Sequence, residues 1–381
     1  MDVTTAPGFT PRQAHTFHGN LRTTRYGWLR LTPAYSVRLV HALLERARDP
    51  APALDPFCGT ATTLLACTEH GIDCDTTDIN PFLLWLARAK VARYRERSLL
   101  SARRALARIV QHAQNERLQP WLPAMHQIER WWSDGNLNAL GRAAASLKRA
   151  TVELDKPAAD LLRLGFCQAL IECSNATFGH QSMSLAGGAA RATGAAFVAE
   201  SLERAFERLE LAARTALPAT RRRIKLADAR RLHTVLPASH YGAVITSPPY
   251  ANRMSYVREL RPYMYWLGYL TDKAQAGALD WSAIGGTWGV ATSNLTRWSA
   301  DPKLAVDHEG FAARLDEIGK RSPLLANYVH KYCQDMLEHV QSLAHVVRPA
   351  GSVFSVVGNS KFYDVLVPIE DILARMLEQN G

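Results

Sequence analysis

The stretch that most limits the fold runs from Ala53 to about residue 90. Ala53-Leu54-Asp55 reads as a short strand and Pro56-Phe57-Cys58-Gly59-Thr60 as a turn. Residues 61–70 then read as a helix that Gly71 closes from the position after its C-cap. Residues 72–78 make a second strand ending at Asp78, and Asn80-Pro81 opens the next helix. Strand–helix–strand–helix with connections this short begins a parallel α/β sheet with helices packed on it. Ligands of such sheets sit at the carboxyl ends of strands, where Asp55, Asp78 and the turn between them lie.

The rest of the chain is arranged around that unit. Residues 1–30 mix Gly, Pro, Thr, Arg and aromatics and are expected to wrap the surface. A helix is expected from Thr32-Pro33, with Pro at the first helical position and Val37, Leu39, Val40, Leu43 and Leu44 at helical spacing. From 82 to 215 the pattern is almost wholly helical, with breaks near 120–123, 134–135, 156–157 and 182–194. Strand character returns at 223–228, where Asp228 closes a third strand, and at 241–246. A tyrosine-rich helix is expected over 255–270, and an irregular excursion rich in Gly, Trp, Ser and Thr over 271–320. A long helix over 324–347, a strand over 352–357 and a last helix over 366–378 complete the chain.

Several classes are disfavoured by what is missing. No segment is apolar for long enough to cross a bilayer, and the first residues lack an apolar signal core. The six cysteines, at 58, 67, 74, 167, 173 and 333, show neither a Cys-x-x-Cys pair nor zinc spacing. They read as reduced, buried thiols of a cytoplasmic protein, and no metal site is expected. There is no Gly-x-Gly-x-x-Gly after the first strand, no phosphate loop and no His-Glu-x-x-His. A net charge of +10 favours a polyanionic partner. Much of that charge is concentrated in Arg88, Lys90, Arg93, Arg95, Arg97, Arg103, Arg104 and Arg108, which face the single acid Glu96. A run of this kind is either a solvated helix face or a phosphate contact.

Ser247-Pro248-Pro249-Tyr250 follows the apolar strand 241–246. The two prolines have no N–H, so the backbone there is rich in acceptors. The carbonyls of Ser247 and Pro248, with Ser247 Oγ, suit the NH₂ of a flat ligand, and Tyr250 offers a ring to stack on it. A plain turn after a strand is the alternative. On the opposite side, Gly59 lets the backbone approach a ligand and the following helix offers free N–H groups. Asp78 is placed to hold ribose hydroxyls, and Asp228 an adenine amino group. His180 and the pair Glu172 and Asn175 are further polar residues that could reach such a site.

These residues carry a family resemblance. Residues 55–63, Asp-Pro-Phe-Cys-Gly-Thr-Ala-Thr-Thr, resemble the S-adenosylmethionine-binding motif of amino-group DNA methyltransferases. Asp78-Ile79-Asn80-Pro81 looks like their acidic second motif, Asp228 like their third, and residues 351–359 like a later strand motif. Ser247-Pro248-Pro249-Tyr250 looks like their catalytic motif in the Ser-initial form of the cytosine-N4 enzymes. Residues 26–35, including Tyr26, Thr32 and Pro33, resemble the segment that closes over the methionine end of the cofactor.

The resemblance implies a Rossmann-like class I methyltransferase sheet with a large helical insertion. It assigns Pro56, Phe57, Cys58, Gly59, Thr60, Ile79 and Asn80, with Asp55, Asp78 and Asp228, to S-adenosylmethionine. It also implies double-stranded DNA as partner, with a cognate restriction endonuclease acting separately. Residues 1–95 would hold the closing segment and cofactor half, 96–220 the helical insertion, 221–270 the catalytic half, 271–320 the excursion and 321–381 the end of the catalytic domain. The insertion and the excursion would wall a cleft over Tyr250. Arg93, Arg95, Arg97, Arg103, Arg104, Arg221 and Arg222 would supply phosphate contacts, and Trp288, Asn294 and Arg297 base contacts. Two departures stand out: Ala61 occupies a place where the family has a second Gly, and the family's terminal antiparallel hairpin is expected to be missing. Adenine-N6 or RNA amino-group methylation, and a non-catalytic DNA-binding role, remain the alternatives. A cytosine-C5 enzyme is disfavoured because no Pro precedes any Cys.

Overall fold

The computed structural model describes residues 19–20, 24–31, 34–177, 184–185, 193–286 and 290–381. The expectations placed on Thr32, Pro33, His180 and Trp288 lie outside them. In chain order, α1 (Val37–Arg46) leads to β1 (Ala53–Asp55), α2 (Thr62–Glu69), β2 (Cys74–Asp78) and α3 (Pro81–Lys90). Four long helices follow: α4 (Glu96–Gln114), α5 (Asp134–Glu153), α6 (Lys156–Glu172) and, after the two-residue strands β3 (Ala176–Thr177) and β4 (Ser184–Leu185), α7 (Ala195–Ala213). The chain then returns to the sheet with β5 (Arg222–Leu226) and β6 (Tyr241–Thr246). Next come α8 (Tyr256–Trp266), α9 (Lys273–Ser282), α10 (Val290–Arg297), α11 (Phe311–Arg321) and α12 (Pro323–Val346). β7 (Val347–Ser355), β8 (Ser360–Phe362), β9 (Val365–Val367) and α13 (Ile369–Gln379) end the chain.

The main sheet has the order β5-β2-β1-β6-β7 and every pairing in it is parallel. It is a Rossmann-like parallel α/β sheet. Its centre is apolar because both faces are covered: all six residues of β6 and all three of β1 are buried. β5 is an outer strand and reads Arg-Arg-Ile-Lys-Leu, with charged side chains of the kind that guard an exposed edge.

Local chemistry explains the element ends. Asn80 caps α3 by accepting from Phe82 N, and Asp155 caps α6 by accepting from Ala158 N, each with Pro in the first turn. α2 ends as a Schellman motif, with Ile72 N on Cys67 O and Gly71 N on Thr68 O, and Gly71 takes φ 69°.

The helical insertion does not form a core of its own. A single apolar cluster joins Phe82 and Trp85 of α3, Leu140 of α5, Phe166 of α6, Phe206 of α7 and Tyr263 and Trp266 of α8. Trp266 packs edge-on against Trp132, Phe166 and Trp121, at 5.6, 5.7 and 6.1 Å between ring centroids. Each such pair adds about 0.5–1.5 kcal/mol beyond burial. α4 to α7 are thereby bound to the sheet through α3 and α8.

Three expectations are corrected. α1 starts at Val37 behind an extended Ser36, not at Thr32. The excursion 271–320 is not irregular, because α9, α10 and α11 lie in it. Asp228 does not close a strand: β5 stops at Leu226, and Asp228 caps a short 3-10 turn, Ala229–Thr234, by accepting from Arg230 N. β8 and β9 form a small antiparallel hairpin ahead of α13 that stands apart from the main sheet.

Candidate active site

The carboxyl ends of β1, β2 and β6 open into a cavity of about 920 Å³, its mouth included. Pro56, Phe57, Cys58, Gly59 and Thr60 line one side, and Asp78, Ile79 and Asn80 the next. Ser247, Pro249, Tyr256 and Val257 form the wall after β6. Leu279, Ser282, Ala283 and Ile284, from α9 and just beyond it, form a roof over Ala227 to Ala229. Of the residues assigned from the resemblance, those of the turn and of the second motif thus share one space with Ser247 and Pro249.

The turn is built for close approach. Gly59 has φ 47°, and a Cβ there would meet nothing nearer than Phe57 O at 3.8 Å. Ala61 is not in the first helical turn as expected. It is the N-cap of α2 in the left-handed region, φ 61°, and it is fully buried. An L side chain there costs about 1–2 kcal/mol, so the tertiary packing of the turn must hold it.

Asp78 receives Gly59 N at 3.1 Å and Asn80 N at 2.8 Å, so it ties the turn to the second motif while lining the cavity. Burial nevertheless pushes its carboxyl up to about 6. Asp55 is placed differently from the expectation. It lies beneath the turn, fully buried, and is not part of the cavity wall. Its Oδ1 accepts from Thr246 Oγ1 at 2.7 Å and from Phe57 N at 3.2 Å, while its Oδ2 has no partner. Burial, only partly offset by these donors, pushes it up to about 7. Asp55 therefore joins the Gly59 turn to β6, the strand that leads into Ser247-Pro248-Pro249-Tyr250.

Asp228 lines the cavity, but its carboxylate is already engaged. Arg230 reaches it through Nε at 3.0 Å and Nη2 at 2.7 Å, and the same guanidinium bonds Asp335 at 2.8 Å and Ser282 O at 2.9 Å. Burial raises the Asp228 carboxyl, but the Arg230 contacts outweigh it and hold it below the ordinary range. Arg230 thus ties the roof after α9 to the sheet.

Tyr26 is a second correction. Its hydroxyl donates to Glu69 at 2.6 Å and it is not on the cavity wall, where Leu31, Ala34 and Tyr35 stand instead. Its backbone still matters. The fully buried Lys90 ammonium donates to Tyr26 O at 3.0 Å and to Thr60 O at 2.8 Å, which pins the N-terminal segment to the turn. Burial lowers Lys90 to about 7.

In the motif after β6, Ser247 Oγ donates to Val356 O at 3.1 Å and lies 3.2 Å from the Tyr250 hydroxyl. With its proton committed to Val356, Oγ retains lone pairs for a ligand. Pro248 is buried, and among the described residues no donor reaches its carbonyl. Three tyrosines surround the loop: Tyr332 donates to Pro249 O, Tyr256 accepts from Tyr250 N, and Tyr328 accepts from Arg253 N. Sequence reasoning missed all three, although Tyr256 stands only six residues after Tyr250 in the tyrosine-rich helix.

The basic residues lie elsewhere. Arg222, at the amino end of β5, donates to Val91 O, so the arginines that follow α3 sit at the opposite sheet edge from the cavity. Arg93, Arg95, Arg97, Arg103 and Arg104 are exposed, and Arg103 pairs with Glu210. Arg221 pairs with Asp73. Arg297 is exposed at the end of α10. Glu172 pairs with Arg204, and Asn175 donates to Arg130 O, so neither belongs to the site. Among the described residues no His, Cys, Asp and Glu cluster suits a metal, and no helix is long and apolar enough to cross a membrane.

No family model matches the chain. Over 72 residues, 18% of its length, it is 33% identical to the type II methyltransferase M.AvaI of Nostoc sp., and equally so to the protein of that name from Anabaena variabilis. The chain spans about 15% of the length of these curated relatives. Among solved structures it is similar to the rRNA methyltransferase aviRa from Streptomyces viridochromogenes, at 17% identity and a TM-score of 0.24, over 67% of this chain and 77% of that one. A second structure of aviRa gives 16% identity and a TM-score of 0.23.

Proposed function

We propose that the chain transfers a methyl group from S-adenosylmethionine to the exocyclic N4 amino group of a cytosine flipped out of double-stranded DNA. The observation that carries this reading is the single cavity in which the Gly59 turn and Asp78 face Ser247 and Pro249. The short match to type II methyltransferases supports the reaction class.

The residues present fit the cofactor. Gly59 leaves room beside the backbone, and Asp78 keeps lone pairs for ribose hydroxyls after accepting its two amides. Burial holds the cavity-lining Asp78 carboxyl above its ordinary value, so a ligand that brings donors or positive charge is favoured there. When bound, S-adenosylmethionine supplies an electrophilic methyl group on a sulfonium.

The chain's own part is to prepare the amine. The cytosine N4 lone pair is conjugated into the ring and is a weak nucleophile. The Pro248 carbonyl and Ser247 Oγ accept the two N–H bonds and bias nitrogen towards the tetrahedral shape of the transition state. Tyr250 stacks on the extruded base, which offsets part of the few kcal/mol that extrusion costs. Positioning and fixed dipoles supply most of the rate. The proton leaves only after nitrogen has become cationic, when weak acceptors suffice.

The direct test gives purified protein labelled S-adenosylmethionine and duplex DNA, and digests the product to nucleosides. N4-methylcytosine is expected; label found only in N6-methyladenine, or only in RNA, overturns the assignment. A pair of variants separates the two halves of the site. Asp78→Ala should weaken cofactor binding by about 1–3 kcal/mol, because ribose hydroxyls and two backbone amides lose their acceptor. Tyr250→Ala should keep cofactor affinity and lose most activity. Calorimetry showing an equal loss of cofactor in both would contradict the division.

A further inference from the structure

We propose that Tyr332 and Tyr256 are positioning residues of this transfer, because together they determine which backbone carbonyl is presented to the target amino group. The inference rests on the functional reading above and deepens it.

Pro248, Pro249 and Tyr250 have three carbonyls but only one N–H between them, since proline has none. The N–H of Tyr250 goes to the Tyr256 hydroxyl at 3.0 Å. The Pro249 carbonyl is taken by the Tyr332 hydroxyl at 2.8 Å, and the Tyr250 carbonyl by Asn252 N at 2.8 Å. One acceptor is left over. The Pro248 carbonyl belongs to a buried residue and, among the described residues, meets no donor. Buried carbonyls are almost always paired, so an unmet one on the residue between the cavity-lining Ser247 and Pro249 is where an incoming N–H belongs.

The tyrosines are not simply filling space. Tyr328 and Tyr332 are four residues apart on α12, so they share a face, and both rings are buried against the same apolar cluster. A phenylalanine would serve that packing equally well. What it could not do is donate to Pro249 O. Burial raises the hydroxyls of Tyr256, Tyr328 and Tyr332 well above the ordinary tyrosine value, so all three stay protonated at neutral pH. Without the Tyr332 proton, Pro249 O becomes a second open acceptor one residue along, and it competes with Pro248 O for the same NH₂. Without the Tyr256 oxygen, the peptide between Pro249 and Tyr250 loses the contact that fixes its plane.

The test compares Tyr332→Phe, Tyr256→Phe and Tyr328→Phe with the unaltered chain. Single-turnover methyl transfer to duplex DNA is measured at saturating cofactor, with cofactor Kd from calorimetry. Tyr332→Phe and Tyr256→Phe should lower the transfer rate by about 10²-fold, the scale of an ångström-sized misplacement. Cofactor Kd should stay within about twofold, because neither contact belongs to the turn or to Asp78. Tyr328→Phe removes an equally buried hydroxyl from the same helix without touching the tripeptide, and sets the structural baseline. Rates near those of the unaltered chain overturn the proposal, and so does a loss in Tyr328→Phe as large as that in Tyr332→Phe. If the unaltered chain transfers no label to DNA, the functional reading fails instead.

Discussion

Asp55 carries the most informative titration in the site. Its carboxyl is raised from an ordinary 3.8 to about 7, chiefly by burial, so the folded chain holds this proton more tightly than the unfolded chain does. The stability it contributes is complete below about pH 4 and is lost as pH rises towards 7. Asp55→Asn removes that titration. The stability of the unaltered chain relative to the variant should therefore fall across this window and level off above it, as read by denaturant unfolding at a series of pH values without ligand. A difference that does not vary with pH would show that Asp55 is not held in this state. At this scale the sequence was legible where a residue's place follows from strand ends and local turns, as for Asp78, Asn80 and Gly59. It was not legible where a partner arrives from far along the chain. Nothing near Tyr26 announces Glu69, and nothing near Pro249 announces Tyr332, 83 residues away.

Among the elements, α2 shows how a single residue sets a boundary. Gly71 has φ 69° with nothing within 4 Å of the place a Cβ would take, so Gly71→Ala meets no clash and tests the backbone alone. Thermal or denaturant unfolding should report a loss of about 1 kcal/mol, the left-handed cost of an L residue. The helices whose apolar spacing is regular and whose caps are Asn, Asp or Ser were readable from residues in order. α9, α10 and α11 were hidden by the Gly, Trp, Ser and Thr content of their surroundings, although Asp272 caps α9 in ordinary fashion by accepting from Gln275 N. β7 was misjudged for another reason. It takes in the Arg348-Pro349-Ala350-Gly351 segment expected to precede a strand starting at 352, with Ala350 at φ 61° and a shift in register against β6.

Over the whole molecule, the cavity lies at the carboxyl edge of the sheet and the arginines after α3 lie at the amino edge. On the proposed function, a duplex delivering a base to Ser247 would approach the first edge. Reversing Arg93, Arg95 and Arg97 to Glu is thus expected to leave DNA affinity and its salt dependence nearly unchanged. Reversing Arg253, exposed three residues beyond Tyr250, should weaken all sequences alike and reduce the salt slope by about 1. Binding titrations at several salt concentrations distinguish the two. A strong effect in the first set would mean that DNA extends around the end of the sheet. This separation could not be read from composition, since charge counts do not say which end of a sheet a helix returns to.

Lys90 has a consequence in chemical labelling. A lysine lowered to about 7 is largely an uncharged amine at pH 8, and so intrinsically a better nucleophile than surface lysines near 10. In the closed protein it is out of reach, buried between the carbonyls of Tyr26 and Thr60. Its acylation by an amine-reactive reagent therefore requires the N-terminal segment to lift from the turn that holds Thr60. The rate of modification at this one side chain becomes a clock for that opening, and a bound ligand that braces the turn slows the clock without any change elsewhere on the surface.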